Sequence, residues 1–354
     1  MSSLFTPGRA RTAAAVAAVL VTGLVAATSA VGASGAAAAP STTTLRLGYF
    51  PNVTHAPALV GVESGLFQQD LGSGVKLSLS TFNAGPAAVE ALLSDSIDAS
   101  YVGPNPAINA FVQSNGAVRV ISGAASGGAF LVVRQGINKP SDLKGKVLAS
   151  PQLGNTQDVA LRSYLSKHGL KTDTSGGGDV SIRPQDNAVT LQAFEQKQID
   201  GAWVPEPWAA RLVTEGGGKV LVDERTLWPH GQFVTTELVV RTDFLKAHPD
   251  VVQGLLTGQV DAVDLIAKNP TRAQQLVGLG IQHATGKGLA ANLIAASFQS
   301  ITFTNDPIAS SLQTSAQNAK KLGLLKSTNL KGIYDLTLLN KVLKAKHEPV
   351  VSAP

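Results

Sequence analysis

Pro151-Gln-Leu-Gly-Asn-Thr-Gln-Asp-Val-Ala160 follows the short apolar run Lys146-Val-Leu-Ala-Ser150 and opens a helical pattern that reaches about His168. A strand that ends in a Gly/Asn/Thr turn and runs straight into a helix leaves several backbone N–H groups without intrahelical partners. Those donors, with the positive end of the helix dipole, attract an anion. Asn155 or Thr156 acting as an ordinary N-cap accounts for the same residues, and for a single such turn that is explanation enough. The device recurs, however, at Asn52-Val-Thr-His55, at Asn83-Ala-Gly-Pro-Ala87 and at Gly103-Pro-Asn-Pro106. Repetition points to a pocket assembled from such turns.

Working outward, apolar alternation predicts strands at 45–50, 76–82, 98–102, 118–122 and 130–134, with helices at 56–67, 84–93 and 107–113 between them. Gly123-Ala-Ala-Ser-Gly-Gly128 reads as a glycine-rich turn. Alternation of strand and helix implies a parallel-type sheet covered by helices on both faces. The pattern restarts after Lys139-Pro-Ser-Asp-Leu-Lys-Gly145, with strands at 147–150, 180–184, 199–204 and 219–222 and helices at 156–167, 187–196 and 207–215. A long apolar strand at 235–241 could return the chain to the first unit. Beyond Asp243 the spacing is helical, at 244–268, 273–279, 289–298, 307–322 and 334–344. The fold class is α/β, in two units with a helical C-terminal segment.

A chain of 354 residues with 44% hydrophobic and 15% charged content is built to bury cores, and its length suggests two domains. The net charge is +5, and removing Arg9 and Arg11 leaves +3, too mild a surplus to imply nucleic acid. Those two arginines precede the small apolar run 13–27, and Ala36-Ala-Ala38 offers small residues for cleavage, so 1–38 is expected to be an export signal. The mature chain is then soluble and either periplasmic or extracellular. No cysteine is present, which excludes disulfides, thiolate metal sites, a cysteine nucleophile and lipid attachment through cysteine.

Open α/β sheets bind ligands beyond the carboxyl ends of their strands. The turns so placed contain Asn52, Thr54, His55, Gly103, Asn105, Ser126 and Gly127 in the first unit. In the second they contain Gln152, Asn155, Thr156, Trp203 and Glu206. Glycines there permit close backbone approach, and neutral Asn, Gln and Thr donors suit reversible capture of a compact anion. Trp203-Val-Pro-Glu-Pro-Trp208 stands out in a chain of only three tryptophans. An indole could cover the apolar part of a ligand or simply fill the core. Glu206 repels a pure anion, so either it pairs with a base such as Arg211 or the ligand also carries a cationic or N–H group. The six histidines show no metal-ligand spacing, and there is no Gly-x-Ser-x-Gly elbow, P-loop or dinucleotide fingerprint. Neither a cofactor nor a metal is expected.

These motifs, from Leu47-Gly-Tyr-Phe-Pro-Asn-Val-Thr-His-Ala-Pro-Ala-Leu59 through Phe82-Asn-Ala-Gly-Pro86 and Tyr101-Val-Gly-Pro-Asn-Pro106 to Trp203-Val-Pro-Glu-Pro-Trp208, carry a resemblance. The chain resembles the periplasmic substrate-binding proteins of ABC importers for sulfonate, nitrate and taurine, over about 45–324. The resemblance implies a two-lobe periplasmic-binding-protein fold (type II-like) with a hinge. Lobe 1 would comprise 44–134 plus 237–345, lobe 2 would comprise 135–236, and 346–354 would be a tail. It implies a monomer without enzymatic activity that captures a small anionic or zwitterionic ligand and delivers it to an ABC permease. It also implies ligand contacts at the twelve positions named above. Relatives of this architecture bind pyrimidine precursors or bicarbonate, so the scaffold leaves the ligand open. An exported two-lobe enzyme using His55 and Glu206 as acid and base is the reading from another class.

Overall fold

The structure, a computed structural model, describes residues 42–352. The export signal expected over 1–38 lies outside the described residues. Among the described residues, eleven strands form two sheets. The first sheet takes β1 (Thr43–Tyr49), β2 (Val75–Thr81), β3 (Ala99–Val102), β4 (Val118–Gly127), β10 (Val234–Arg241) and β11 (Ile301–Phe303), in the order β11-β4-β10-β3-β1-β2. The second takes β5 (Ala129–Val133), β6 (Val147–Ser150), β7 (Ser181–Pro184), β8 (Gly201–Pro205) and β9 (Lys219–Asp223), in the order β7-β6-β8-β5-β9.

The period-2 alternation of the strands sorts side chains onto opposite faces. In β5, Leu131 and Val133 join the core on one face of the second sheet, while Phe130 and Val132 join the core on the other. The first sheet is covered in the same two-sided way. Leu45 and Leu47 of β1 pack with Val252, Leu255 and Leu256 of α9 (Pro249–Lys268), and Val118 and Val120 of β4 share the opposite core with Leu312 and Ala316 of α12 (Ala309–Lys321). The helical C-terminal segment thus completes the first lobe.

Five details depart from the sequence reading. Strand 130–134, grouped by sequence with the first lobe, pairs with β8 and β9 of the second, so the change of sheet falls at Gly127-Gly128. The expected glycine-rich turn at 123–128 is instead the end of β4, because Gly123, Ala125 and Ser126 find ladder partners on the returning strand β10. That strand inserts antiparallel between β3 and β4, so the first sheet is mixed rather than parallel. Gly127 and Gly128 both hold positive φ, 83° and 70°. A Cβ on Gly127 would lie 2.5 Å from the Ser300 carbonyl oxygen, so only glycine lets the chain leave one sheet and enter the other here. The helix expected over 244–268 is broken at Pro249 into α8 (Thr242–Ala247) and α9, as proline at a helix start requires. The expected helix 56–67 divides into α1 (Ala56–Glu63) and α2 (Leu66–Leu71).

Candidate functional site

The turns after the parallel strands of both lobes meet at one small cavity. Around it lie Asn83, Ala84 and Gly85 at the start of α3 (Gly85–Leu93), Gly103 at the start of α4 (Pro104–Gln113), Asn155 and Thr156 at the start of α5 (Thr156–Lys167), and Asn187 at the start of α6 (Asn187–Glu195). Four helix N-termini therefore surround one space. Only α5 has its first turn capped by a side chain, through Asn155 Oδ1, which accepts from Asp158 N at 2.8 Å. The other three begin without a side-chain cap, and their first-turn N–H groups are available to a guest except at Pro86 of α3 and at Pro104 and Pro106 of α4, which carry none. Three buried atoms of residues lining the cavity, Thr156 Oγ1 and Asn187 Oδ1 from the second lobe and Thr236 Oγ1 from the first, have no hydrogen-bond partner in the protein. Buried polar atoms are normally satisfied, so this concentration of unsatisfied ones marks a place that receives a polar guest.

His55 and Thr54 enter from the short 3-10 turn Val53–His55. The His55 ring stacks on Phe50, centroids 4.3 Å apart, and its Nδ1 accepts the Phe50 N–H at 3.3 Å. Burial lowers its pKa to about 3, so the ring is neutral at physiological pH. With Nδ1 accepting, the proton resides on Nε2, and His55 serves the cavity as a neutral donor.

The two lobes are closed over this space. Val53 N donates to the Glu206 carbonyl at 3.2 Å, Trp208 Nε1 to Asn52 Oδ1 at 2.9 Å, and Asn83 Nδ2 to Asp186 Oδ2 at 3.0 Å. The space left between them has a volume of about 30 Å³, room for little more than a water molecule. An organic ligand enters only if the lobes part.

Of the twelve sequence-predicted positions, Asn52, Thr54, His55, Gly103, Asn155 and Thr156 line this cavity. Six do not. Asn105 donates to the Ser315 carbonyl at 3.3 Å and faces a neighbouring, more apolar cavity. Ser126 opens on a surface groove beside the crossing segment, and Gly127 is the turn between sheets. Gln152 contributes its carbonyl to the turn, accepting from Asn155 N at 3.1 Å. Trp203 is wholly buried in the second-lobe core, where its Nε1 donates to Glu224 Oε2 at 2.7 Å. Glu206 does not pair with Arg211, which forks instead onto Glu215 at 2.8 Å. The Glu206 carboxylate accepts from Ala210 N at 3.1 Å and from Ser297 Oγ of the first lobe at 3.2 Å. His55 and Glu206 are consequently not gathered as an acid–base pair on one cavity wall.

The turn at Asn83 is one of the recurring devices read from the sequence, though Asn83 is not among the twelve positions; Asn187 is missed, although it too follows a strand and opens a helix as Asn155 does. Thr235 and Thr236 were missed because they sit within a strand, where nothing local marks a lining residue. Among the described residues no cluster of three or more His, Asp or Glu side chains is arranged to hold a metal ion.

Desolvation raises the Glu206 pKa from 4.5 to about 7, against the opposing hydrogen bonds from Ala210 and Ser297. A carboxyl whose folded pKa is raised contributes stability that is fully present below 4.5 and lost as pH climbs towards 7. Glu206→Gln should therefore flatten the fall in stability over this window, by roughly 2–3 kcal/mol. Urea midpoints at pH 4.5, 6 and 7.5 read the effect, and an unchanged slope would contradict it. Glu224, raised to about 7 by its own burial, keeps part of the slope in the variant.

With the site in place, the likeness to known proteins has a structural meaning. A family model described as NMT1-like matches residues 38–279, a span that holds all twelve positions. The chain belongs to the NMT1-like family. The taurine-binding periplasmic protein of Escherichia coli (strain K12) is 31% identical over 215 residues, covering 60% of this chain and 64% of that relative. A putative aliphatic sulfonates-binding protein of the same organism is 29% identical over 226 residues, covering 62% and 65% respectively. The chain thus spans just under two thirds of the length of these two relatives. The solved alkanesulfonate-binding protein SsuA of Xanthomonas axonopodis pv. citri, bound to MOPS, superposes with a TM-score of 0.67 at 21% identity, over 82% of this chain and 96% of that one. The two-lobe periplasmic-binding-protein fold is thereby established for this family member.

Proposed function

We propose that this chain is an extracytoplasmic solute-binding protein that traps a small anionic or zwitterionic molecule between its lobes and presents it to an ABC-type permease. The observation that carries the reading is the ring of four helix N-termini, three of them uncapped, around a cavity with three unpartnered buried polar atoms. Such a ring supplies partial positive charge and N–H donors without a fixed cation, which suits reversible capture of a sulfonate or similar oxyanion. The names of the family relatives, taurine- and sulfonate-binding proteins, point to the same chemistry. Export rests on the arginine-led apolar leader at 1–38. Among the described residues no helix is long and apolar enough to cross a membrane.

Titration calorimetry of the purified protein with taurine, ethanesulfonate, nitrate, bicarbonate and an aminopyrimidine tests the reading. One molecule bound per chain is expected for at least one oxyanion, with a change in tryptophan fluorescence because Trp208 reaches from the second lobe to Asn52 of the first. Saturable binding of the aminopyrimidine alone would transfer the site to a pyrimidine precursor. Heat from none of these compounds would remove the anion reading.

A further inference from the structure

Glu206 stands where the lobes meet. It follows β8 of the second lobe and precedes α7 (Trp208–Thr214), which packs against α11 (Ala291–Phe298) of the first lobe. The residue is only 6% exposed, and two first-lobe groups hold it. Val53 N donates to its carbonyl at 3.2 Å, and Ser297 Oγ lies 3.2 Å from its Oε2. Parting the lobes breaks both contacts and returns the side chain to water.

The bonding at this contact turns on a proton. A serine hydroxyl has one hydrogen to give. Ser297 Oγ has two acceptors within reach, the Leu293 carbonyl at 2.8 Å and Glu206 Oε2 at 3.2 Å. Against an ionised carboxylate it satisfies only one of them. A protonated Oε2 satisfies both, because its own O–H donates to Ser297 Oγ while the serine hydrogen stays on Leu293. Ala210 N still donates to Oε2 at 3.1 Å. The titratable groups on the surrounding elements do not offset an ionised Glu206. Arg211 of α7 is committed to Glu215 at 2.8 Å, and Arg225, beside Gly127 at the change of sheet, to Asp223 at 2.6 Å. His55 on the Val53–His55 turn is neutral, and α11 carries no titratable side chain. Burial therefore raises the Glu206 pKa from 4.5 to about 7 in the closed protein.

We propose that Glu206 and Ser297 form a proton-dependent latch across the lobes, which holds them shut when the carboxyl is protonated and lets them part when it ionises. The proposal rests on the reading above of lobes that close on a ligand, and adds regulation to it. Closure takes up a proton, so the latch acts fully below pH 4.5 and fades as pH rises through about 7. Capture and release then follow the pH of the surroundings as well as the ligand.

The chain has no cysteine, so Glu90→Cys on α3 and Val189→Cys on α6 place a pair of spin labels at exposed positions across the cleft. Label distances in the unliganded protein at pH 5 and pH 8 test the latch whatever the ligand is. The ratio of closed to open molecules should fall by roughly tenfold or more over that interval. Glu206→Gln, whose amide donates to Ser297 Oγ at every pH, should keep the pH 5 distribution at pH 8. Should that variant fail to fold, Ser297→Ala should move the pH 5 distribution towards the wild-type one at pH 8 and change the latter little. A pH shift that survives in Glu206→Gln overturns the proposal by assigning the switch to another group. An equal loss of closure in Ser297→Ala at both pH values overturns it too. Distances that respond to taurine or ethanesulfonate but not to pH also overturn it, and leave capture by closure standing. A pH response in a protein that binds none of the anions supports the latch and removes the anion reading. A single closed distance under every condition removes both.

Discussion

Gly103→Val is expected to leave the lobes folded but unable to shut, weakening ligand binding by about 5- to 150-fold. Gly103 belongs to the first lobe and Thr156 to the second, and they approach so closely that a Cβ on residue 103 would sit 2.2 Å from Thr156 Oγ1 and 3.3 Å from its Cβ. The threonine is β-branched and already buried, so it has little room to rotate away. A valine adds two more methyls to the same gap, with the Thr235 carbonyl oxygen 3.4 Å off on another side. Overpacking of this kind costs about 1–3 kcal/mol within a core. Here the protein can escape the cost by staying open, and the loss then appears in binding rather than in stability. Calorimetry should show the affinity loss, while the melting temperature without ligand changes little and small-angle scattering reports a larger radius of gyration. Wild-type affinity in this variant would show that closure at Gly103 and Thr156 is not part of capture.

The same juxtaposition shows why the site was only half legible in the sequence. Residues that belong to a strand–turn–helix device, such as Asn52, Thr54, Asn155 and Thr156, announce themselves through local composition, and they do line the cavity. Trp203 misleads because a tryptophan beside a Gly-rich or Pro-rich loop satisfies a core role and a binding role equally well. Only its neighbour Glu224, far enough along the chain to be invisible locally, decides for the core. Ser126 misleads for a different reason. The chain around it looks like a turn until β10, which starts more than a hundred residues later, provides the ladder that makes it strand. The strand periods and the two-unit division follow from local pattern. The sheet that β5 joins follows from long-range pairing, which no periodicity encodes.

Asp158→Ala should destabilise the protein by about 3–5 kcal/mol and also weaken binding, because this one carboxylate shapes the turn from which the second lobe contributes to the site. Its side chain is fully buried and accepts from Ser150 Oγ at 2.7 Å, from Gly154 N at 3.0 Å and from Arg162 Nε at 2.9 Å. The first of these ties the helix to the end of β6, the second holds the loop, and the third neutralises a guanidinium that is itself only 2% exposed. Removing the carboxylate leaves the Arg162 cation buried with the Asp173 carbonyl as its remaining partner, 2.6 Å from Nη1. That uncompensated charge is the larger part of the expected loss. The remainder is the freed Gly154 N–H and the loosened loop, which shifts Asn155 and Thr156 away from the cavity. Combining Asp158→Ala with Arg162→Met should restore a substantial part of the stability, since the stranded cation is gone, yet restore little of the affinity, since the loop remains untied. Urea unfolding of the two single variants and the double variant gives the coupling, and calorimetry on the same proteins gives the affinity. If the double variant regains binding together with stability, Asp158 acts through global folding alone and not by positioning the α5 N-terminus. If Asp158→Ala lies within about 1 kcal/mol of the wild type, the buried pair is not what organises this turn.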